Sequence, residues 1–201
     1  EITVQKLKSH NFDDVILTTY YKSDMFEMIL GDGSKYGVKI TYSKEKNKLG
    51  TAGPLSLLKN YLKEDFLIIN GDILTNLDFS ELINFHINNK ADLTILTKEM
   101  ELPLEYGVIV SNGNKVIRIE EKPTIKKEVN AGVYAMNQKV LNEIPENQNM
   151  MMNDLLLKLI KKDYKILKFP LGKNIWLDIG RMSDYKKADE YIKNNFDDFI
   201  K

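Results

Sequence analysis

FLIINGDILTNLDF, residues Phe66–Phe79, sets four large apolar side chains directly before Asn70-Gly71-Asp72. A short continuous apolar run of this kind reads as a β-strand covered on both faces, as in the interior of a parallel sheet. Ligands of open α/β sheets bind outside the carboxyl ends of the strands, and Asp72 stands at such an end. Gly71 lets the chain turn sharply there and lets a ligand approach the backbone. A carboxylate so placed suits a hard cation such as Mg²⁺, commonly held by one or two carboxylates together with substrate phosphates. The same residues also make an ordinary surface turn, since Gly-Asp is common turn chemistry. Beyond it, Asp78 followed three residues later by Glu81 has the pattern of a capping box and opens a helix over "FSELINFHINN".

Outward from this stretch, strand-like and helix-like segments alternate. The N-terminal pattern of Ile2, Val4 and Leu7 is helical, "DVILTTY" is a β-branched strand, and "SDMFEMIL" is a short helix stopped by Gly31-Asp32-Gly33. "GVKITYS" reads as strand, and "PLSLLKNYL" as helix with Pro54 in its first turn. "ADLTILTK" is strand, and "YGVIV-SNGN-KVIRIEEKP" is a hairpin whose turn takes its positive φ angles from Asn112-Gly113. A strand over "VNAGVYAMN", an amphipathic helix over "DLLLKLIKK", strands over "YKILKFP" and "NIWLDIG", and a final helix over "SDYKKADEYIKNNF" complete the chain. No repeat or low-complexity linker divides it. Alternation followed by a hairpin predicts a three-layer α/β sandwich, mostly parallel with an antiparallel excursion.

Composition removes several classes of function. The chain of 201 residues carries 29 Lys plus Arg and 29 Asp plus Glu, so no basic field calls for nucleic acid. Absence of cysteine excludes disulfides and thiolate metal sites and fits a reducing, cytoplasmic setting. No apolar run approaches a membrane span, and the first residues do not have the form of a signal peptide.

Further stretches carry candidate chemistry. Asp178 in "NIWLDIG" repeats the strand-end placement of Asp72 and is followed by Gly180, so the two aspartates converge on one metal if their strands lie close; otherwise they are turns, with Trp176 in the core. "KLGTAGPL" (Lys48–Leu55) offers free N–H groups to an anion, with Gly50 and Gly53 allowing close approach, although a helix entry without ligand has the same composition. "IEEKP" (Ile119–Pro123) places a carboxylate beside an ammonium, which suits a hydroxyl and a phosphate or a solvated strand end. His10 and His86 lack metal-pair spacing.

Taken in order, "LGDGSKYGVKITYSKEKNKLGTAGPL", "FLIINGDIL", "EYGVIV", "IEEKP", "NAGVYAMN" and "WLDIGRMSDY" resemble the sugar-phosphate nucleotidyltransferase family, most nearly its mannose-1-phosphate guanylyltransferase-like branch. That resemblance implies a Rossmann-like mixed sheet flanked by helices, and a reaction joining a nucleoside triphosphate to a sugar 1-phosphate with release of pyrophosphate. It implies Mg²⁺ on Asp72 and Asp178, a nucleotide pocket at Gly50 and Thr51, and a sugar pocket at Gly107, Glu121 and Asn130, with Lys122 on the sugar phosphate. Glu45 lies where the family reads the base, and its two acceptor oxygens match guanine's N1–H and exocyclic amine. GTP is therefore the expected nucleotide; the alternatives are dTTP or UTP, or a catalytically silent sugar-nucleotide-binding subunit.

The sequence departs from the family pattern in one respect. The glycine-rich signature loop with its Arg and Lys is absent, and residue 1 lies beyond its place. Residues 1–201 are thus expected to be a nucleotidyltransferase domain lacking that loop and its first strand. The resemblance leaves room for a homo-oligomer and for an upstream regulatory domain such as CBS modules.

Overall fold

The structure, a computed structural model, describes residues 1–200. In chain order its elements are α1 (Ile2–Ser9), β1 (Asp14–Thr19), α2 (Ser23–Leu30), β2 (Lys39–Lys44), β3 (Phe66–Ile69), β4 (Ile73–Thr75), α3 (Phe79–Asn88), β5 (Leu93–Pro103), β6 (Val108–Asn112), β7 (Lys115–Glu120), β8 (Thr124–Met136), α4 (Met152–Lys161), β9 (Ile166–Pro170), β10 (Trp176–Asp178), α5 (Met182–Asn195) and α6 (Asp197–Ile200). Four strands form a mixed sheet in the order β3-β8-β5-β9. β5 and β9 are parallel, and β8 runs antiparallel to both its neighbours. β1 and β2 form a separate parallel pair, β4 and β10 an antiparallel one, and β6 and β7 the expected hairpin. No helix among the described residues is long and apolar enough to cross a membrane.

Period-2 alternation divides the sheet's side chains between two cores. Phe66 and Ile68 of β3, with Tyr134 and Met136 of β8, join Leu155 and Leu159 of α4 on one face. Leu67 and Ile69, with Ala131, Val133 and Ala135, join Phe79 and Leu82 of α3 on the other. Helices on both faces make the three layers that the alternation predicted. A third cluster (Val4, Val15, Leu30, Val38, Ile40) ties α1 and α2 to the β1–β2 pair.

Local chemistry explains the element ends. Asp78 caps α3 by accepting from Ser80 N at 2.7 Å, and His10 Nδ1 accepts from Phe79 N at 3.3 Å. The hairpin turn is displaced by one residue from the expected one. Asn112 pairs with Lys115, leaving Gly113 and Asn114 in the loop, and of Asn112-Gly113 only Gly113 has positive φ. Glycine at the first loop position alone is the pattern of a type II′ turn, which needs no second positive φ. The segment opened by Pro54 is a 3₁₀ turn over Gly53–Leu58, tightened by Ser56 Oγ donating to Gly53 O at 2.7 Å.

β3 is covered on both faces as expected, yet all four of its side chains remain half-buried. Its one ladder, to β8, leaves its other edge unpaired among the described residues. Among the described residues β1 likewise pairs with β2 alone, and its Ile16 packs into the same cluster as Phe66 and Ile68. Two half-satisfied strands thus border one core.

A charged cluster closes the end of that core. The Glu143 carboxylate accepts from Lys162 Nζ at 2.7 and 2.9 Å and from the Tyr164 hydroxyl at 3.0 Å, with Lys158 Nζ at 3.1 Å. Hydrogen bonds from Lys162, then Lys158, hold its pKa down at about 2. Because the folded value lies below the unfolded one, this stabilisation is present above about pH 4.5 and fades as pH falls towards about 2. Glu143→Gln should therefore lower the thermal midpoint at neutral pH, and its gap to the unmodified chain should narrow steadily on acidification. Thermal melts followed by circular dichroism across that range measure this; a gap independent of pH would contradict it.

Candidate active site

The site begins with the short ladder between β4 and β10. Its register sets Asp178 opposite Ile73, Leu177 opposite Leu74 and Trp176 opposite Thr75. Ile179 N donates to Asp72 O at 2.8 Å, Thr75 Oγ1 to Ile175 O at 2.6 Å, and Ile175 N to Asn76 Oδ1 at 2.6 Å. The pairing delivers Asp72 and Asp178 to the same end of the two strands. A Cβ placed on Gly180 would lie 3.0 Å from Asp72 Oδ2 and 3.1 Å from Asp178 Oδ1, so both oxygens lie about one point that a side chain here would crowd. Gly180 N also donates to Asp178 Oδ1 at 2.9 Å, which orients that carboxylate.

Neither carboxylate forms an ion pair with a cationic side chain among the described residues. Two adjacent negative charges without a counter-charge fit a divalent cation. No group of three or more His, Cys, Asp or Glu side chains with metal-ligating geometry occurs among the described residues, so a cation held by these two carboxylates would take its other ligands from water or substrate oxygens.

These aspartates open onto a cavity of about 300 Å³ whose lining also includes Thr51, Asn70, Asn130, Gly132, Tyr134, Met151, Asn153 and Trp176. The Trp176 indole N–H donates to Ala131 O at 2.8 Å, fastening β10 to β8, and Lys98 Nζ stands 4.6 Å from the indole ring centre. Trp176 is half-buried, so it is at once a packing residue and a wall of the cavity. Gly132, at φ +74°, allows Asn70 to press against β8, where a Cβ would fall 2.8 Å from Asn70 Nδ2. Asn130 Oδ1 accepts from Gly132 N at 3.0 Å, and its Nδ2 donates to the Tyr134 hydroxyl at 2.8 Å. Thr51 Oγ1 accepts from Met152 N at 2.7 Å, capping the first turn of α4 beside the cavity.

Four of the residues singled out from the sequence therefore meet in this cavity: Asp72, Asp178, Thr51 and Asn130. Of the residues the resemblance assigns to the site, five others, Gly50, Glu45, Gly107, Glu121 and Lys122, do not line it. Gly50, at φ +83°, serves a chain approach, since a Cβ there would meet Met150 O at 2.6 Å. Glu45 is half-buried and spends Oε2 on Leu49 N at 2.9 Å, holding the loop it belongs to. Gly107 and Glu121 face each other at the base of the β6–β7 hairpin, with Glu121 Oε2 3.0 Å from the Cβ position of Gly107. Lys122, next to them, is exposed and takes the left-handed φ of +43°, which is uncommon for a residue with a side chain. His86 is fully buried, with Nδ1 at 2.9 Å from Thr94 Oγ1. Asn70, Tyr134 and Asn153 of the cavity were not singled out; only the tertiary fold selects them among many similar residues.

Comparison with known proteins places the chain in a family. The profile of the family described as Nucleotidyl transferase matches residues 1–195. A mannose-1-phosphate guanyltransferase of Yarrowia lipolytica is 33% identical over 190 residues, covering 90% of this chain and 52% of that protein. A UTP–glucose-1-phosphate uridylyltransferase of Synechocystis is 30% identical over 208 residues, covering 94% and 53%. The chain thus spans about half the length of the curated relatives it matches. Among solved structures, HddC from Yersinia pseudotuberculosis complexed with GMP-PN superposes with a TM-score of 0.72 at 25% identity, covering 94% of this chain and 82% of that one. The chain belongs to the nucleotidyl transferase family.

Proposed function

We propose that the chain is the nucleotidyltransferase domain of a sugar-1-phosphate nucleotidyltransferase, joining a nucleoside triphosphate, GTP in the first instance, to a sugar 1-phosphate. The observation that carries this reading is the convergence of Asp72 and Asp178 on one point at the mouth of a polar cavity. In the reaction an oxygen of the sugar phosphate attacks the α-phosphorus in line, a new P–O bond forms, the α–β bond breaks and pyrophosphate leaves. No covalent enzyme intermediate is required, so the protein's task is to position and to neutralise charge. Asp72 and Asp178 would hold Mg²⁺, which when bound supplies positive charge to the α-phosphate. Thr51 and the start of α4 border the nucleotide. Asn130 offers its amide to the sugar, while Gly107, Glu121 and Lys122 lie at the hairpin base outside the cavity lining and are assigned to the sugar by the resemblance alone. The substrates and the cysteine-free composition suit a cytoplasmic setting.

GTP is favoured by the guanyltransferase relatives and by the Glu45 carboxylate, whose Oε1 remains for a guanine donor while Oε2 holds Leu49 N. A carboxylate oxygen has two lone pairs, so Oε2 can keep Leu49 N–H while it accepts from a second guanine donor.

We further propose that an upstream segment supplies an extended strand between β1 and β3, pairing with the free edges of both and joining the two sheets, and that it carries the glycine-rich loop for the triphosphate. This accounts for the half-burial of β3 and for the shared core beneath the two edges. A homo-oligomer and an upstream regulatory module belong to the same proposal.

Three outcomes follow from these assignments. In the product of the complete reading frame, Asp72→Asn and Asp178→Asn should each lower pyrophosphate release by at least about a hundredfold and weaken Mn²⁺ binding seen by electron paramagnetic resonance, without lowering the thermal midpoint. Ordinary turnover and Mn²⁺ affinity in both variants would remove the metal assignment. Glu45→Gln should narrow the lead of GTP over UTP and dTTP by roughly tenfold, the cost of one mismatched polar pair; an unchanged preference would show that Glu45 only holds its loop. Finally, residues 1–201 expressed alone should release no pyrophosphate and should aggregate through the exposed edges of β1 and β3, whereas the product of the complete reading frame should be active and dispersed. Full activity of the short chain would contradict the upstream phosphate loop.

A further inference from the structure

The Asn130 amide is pinned at both ends. Gly132 N–H donates to Oδ1 at 3.0 Å, which fixes the oxygen's side, and Nδ2 donates to the Tyr134 hydroxyl at 2.8 Å. The two anchors differ in kind. Gly132 is backbone, whereas Tyr134 is a side chain sunk into the α4-side core with 2% of its surface exposed, its ring held by Leu155 and the other members of that cluster. Asn130 is itself exposed at the cavity. Burial pushes the phenol's pKa up, against the bond from Asn130, so the hydroxyl stays neutral and able to accept. An asparagine amide has two N–H donors and two carbonyl lone pairs, so this arrangement leaves one of each for a ligand.

We propose that Tyr134 is a positioning residue that sets the stereochemical selectivity of the sugar site by holding the Asn130 amide in one orientation. The proposal rests on the sugar-nucleotidyltransferase reading and deepens it. A phosphate oxygen only accepts, so it can use the free N–H alone. A sugar hydroxyl both donates and accepts and can use the N–H and the carbonyl together. With the amide locked, the hydroxyl that meets the N–H and the hydroxyl that meets the carbonyl are not interchangeable. Epimers that move one hydroxyl are then rejected, because a polar group at the site is left unpaired. Without the Tyr134 hydroxyl, Gly132 N–H still keeps the oxygen on its side but the amide plane can tilt about that single bond, so hydroxyls in displaced positions are accommodated and this discrimination is lost.

Tyr134→Phe removes the hydroxyl and keeps the ring in the core. In the protein expressed from its complete reading frame, kcat/KM would be measured for the 1-phosphates of glucose, mannose and galactose with one nucleoside triphosphate. The ratio between the best and worst sugar should fall roughly tenfold, the effect of one oriented hydrogen bond, while KM for the triphosphate stays within about twofold. In an Asn130→Ala background the same tyrosine change should have no further effect on the ratio. An unchanged ratio, an equal shift in both KM values, or additive effects of the two substitutions would overturn the inference while leaving the function standing. No pyrophosphate release by the unmodified protein with any pair of substrates would overturn the functional reading and this inference with it.

Discussion

Three residue pairs between β4 and β10 hold the site together. They join segments about a hundred residues apart in the chain, and they set two carboxylates around the same point. Like charges so placed repel, so the backbone on each side must be held by something other than the aspartates themselves. Ile179 N bonded to Asp72 O, the Thr75 hydroxyl bonded to Ile175 O and Asn76 bonded to Ile175 N supply that restraint. Trp176 extends it to β8 through Ala131 O, so the aspartate pair is referenced to the central sheet.

β8 is the element on which these arrangements converge. Its alternate side chains feed both cores, its backbone pairs with β3 and β5, and its residues Asn130–Tyr134 form one wall of the cavity. The register with β5 shifts between Ile95 and Thr97, beside Asn130. Irregularities of this kind re-aim side chains near functional sites. Gly132 then admits Asn70 from the neighbouring strand end, so an amide from each side borders the cavity whose mouth carries the carboxylates. Packing on both faces of the sheet and polar presentation at the cavity come from the same thirteen-residue strand.

The sequence was most legible where one residue's role depends on its immediate neighbours. Asp78 reads as a cap because its helix follows at once, and FLII reads as a strand between two cores because its apolar run is short and continuous. β4 has no signature of its own, because Ile73–Thr75 is too short to show a period and is a strand only through its pairing with Trp176–Asp178. The half-burial of β3 was equally hidden, since it depends on an edge and not on residue type. Gly50 illustrates a different limit. A glycine in a loop before a helix suits an anion, but here it accommodates the carbonyl of Met150, a residue far along the chain. Asn70 and Tyr134 carry no local signal at all; their place at the cavity exists only after β3, β4 and β8 are assembled.

The central claim is that Asp72 and Asp178 share one divalent cation at the nucleotide's α-phosphate. A crystal structure of the complete protein with Mn²⁺ and a non-hydrolysable triphosphate tests it most directly, because the anomalous signal locates the metal independently of any assay. The account predicts a peak within about 2.0–2.4 Å of an oxygen from each aspartate, with a phosphate oxygen completing the shell. A metal bound elsewhere, or Asp72 and Asp178 both turned away from it, would contradict the account.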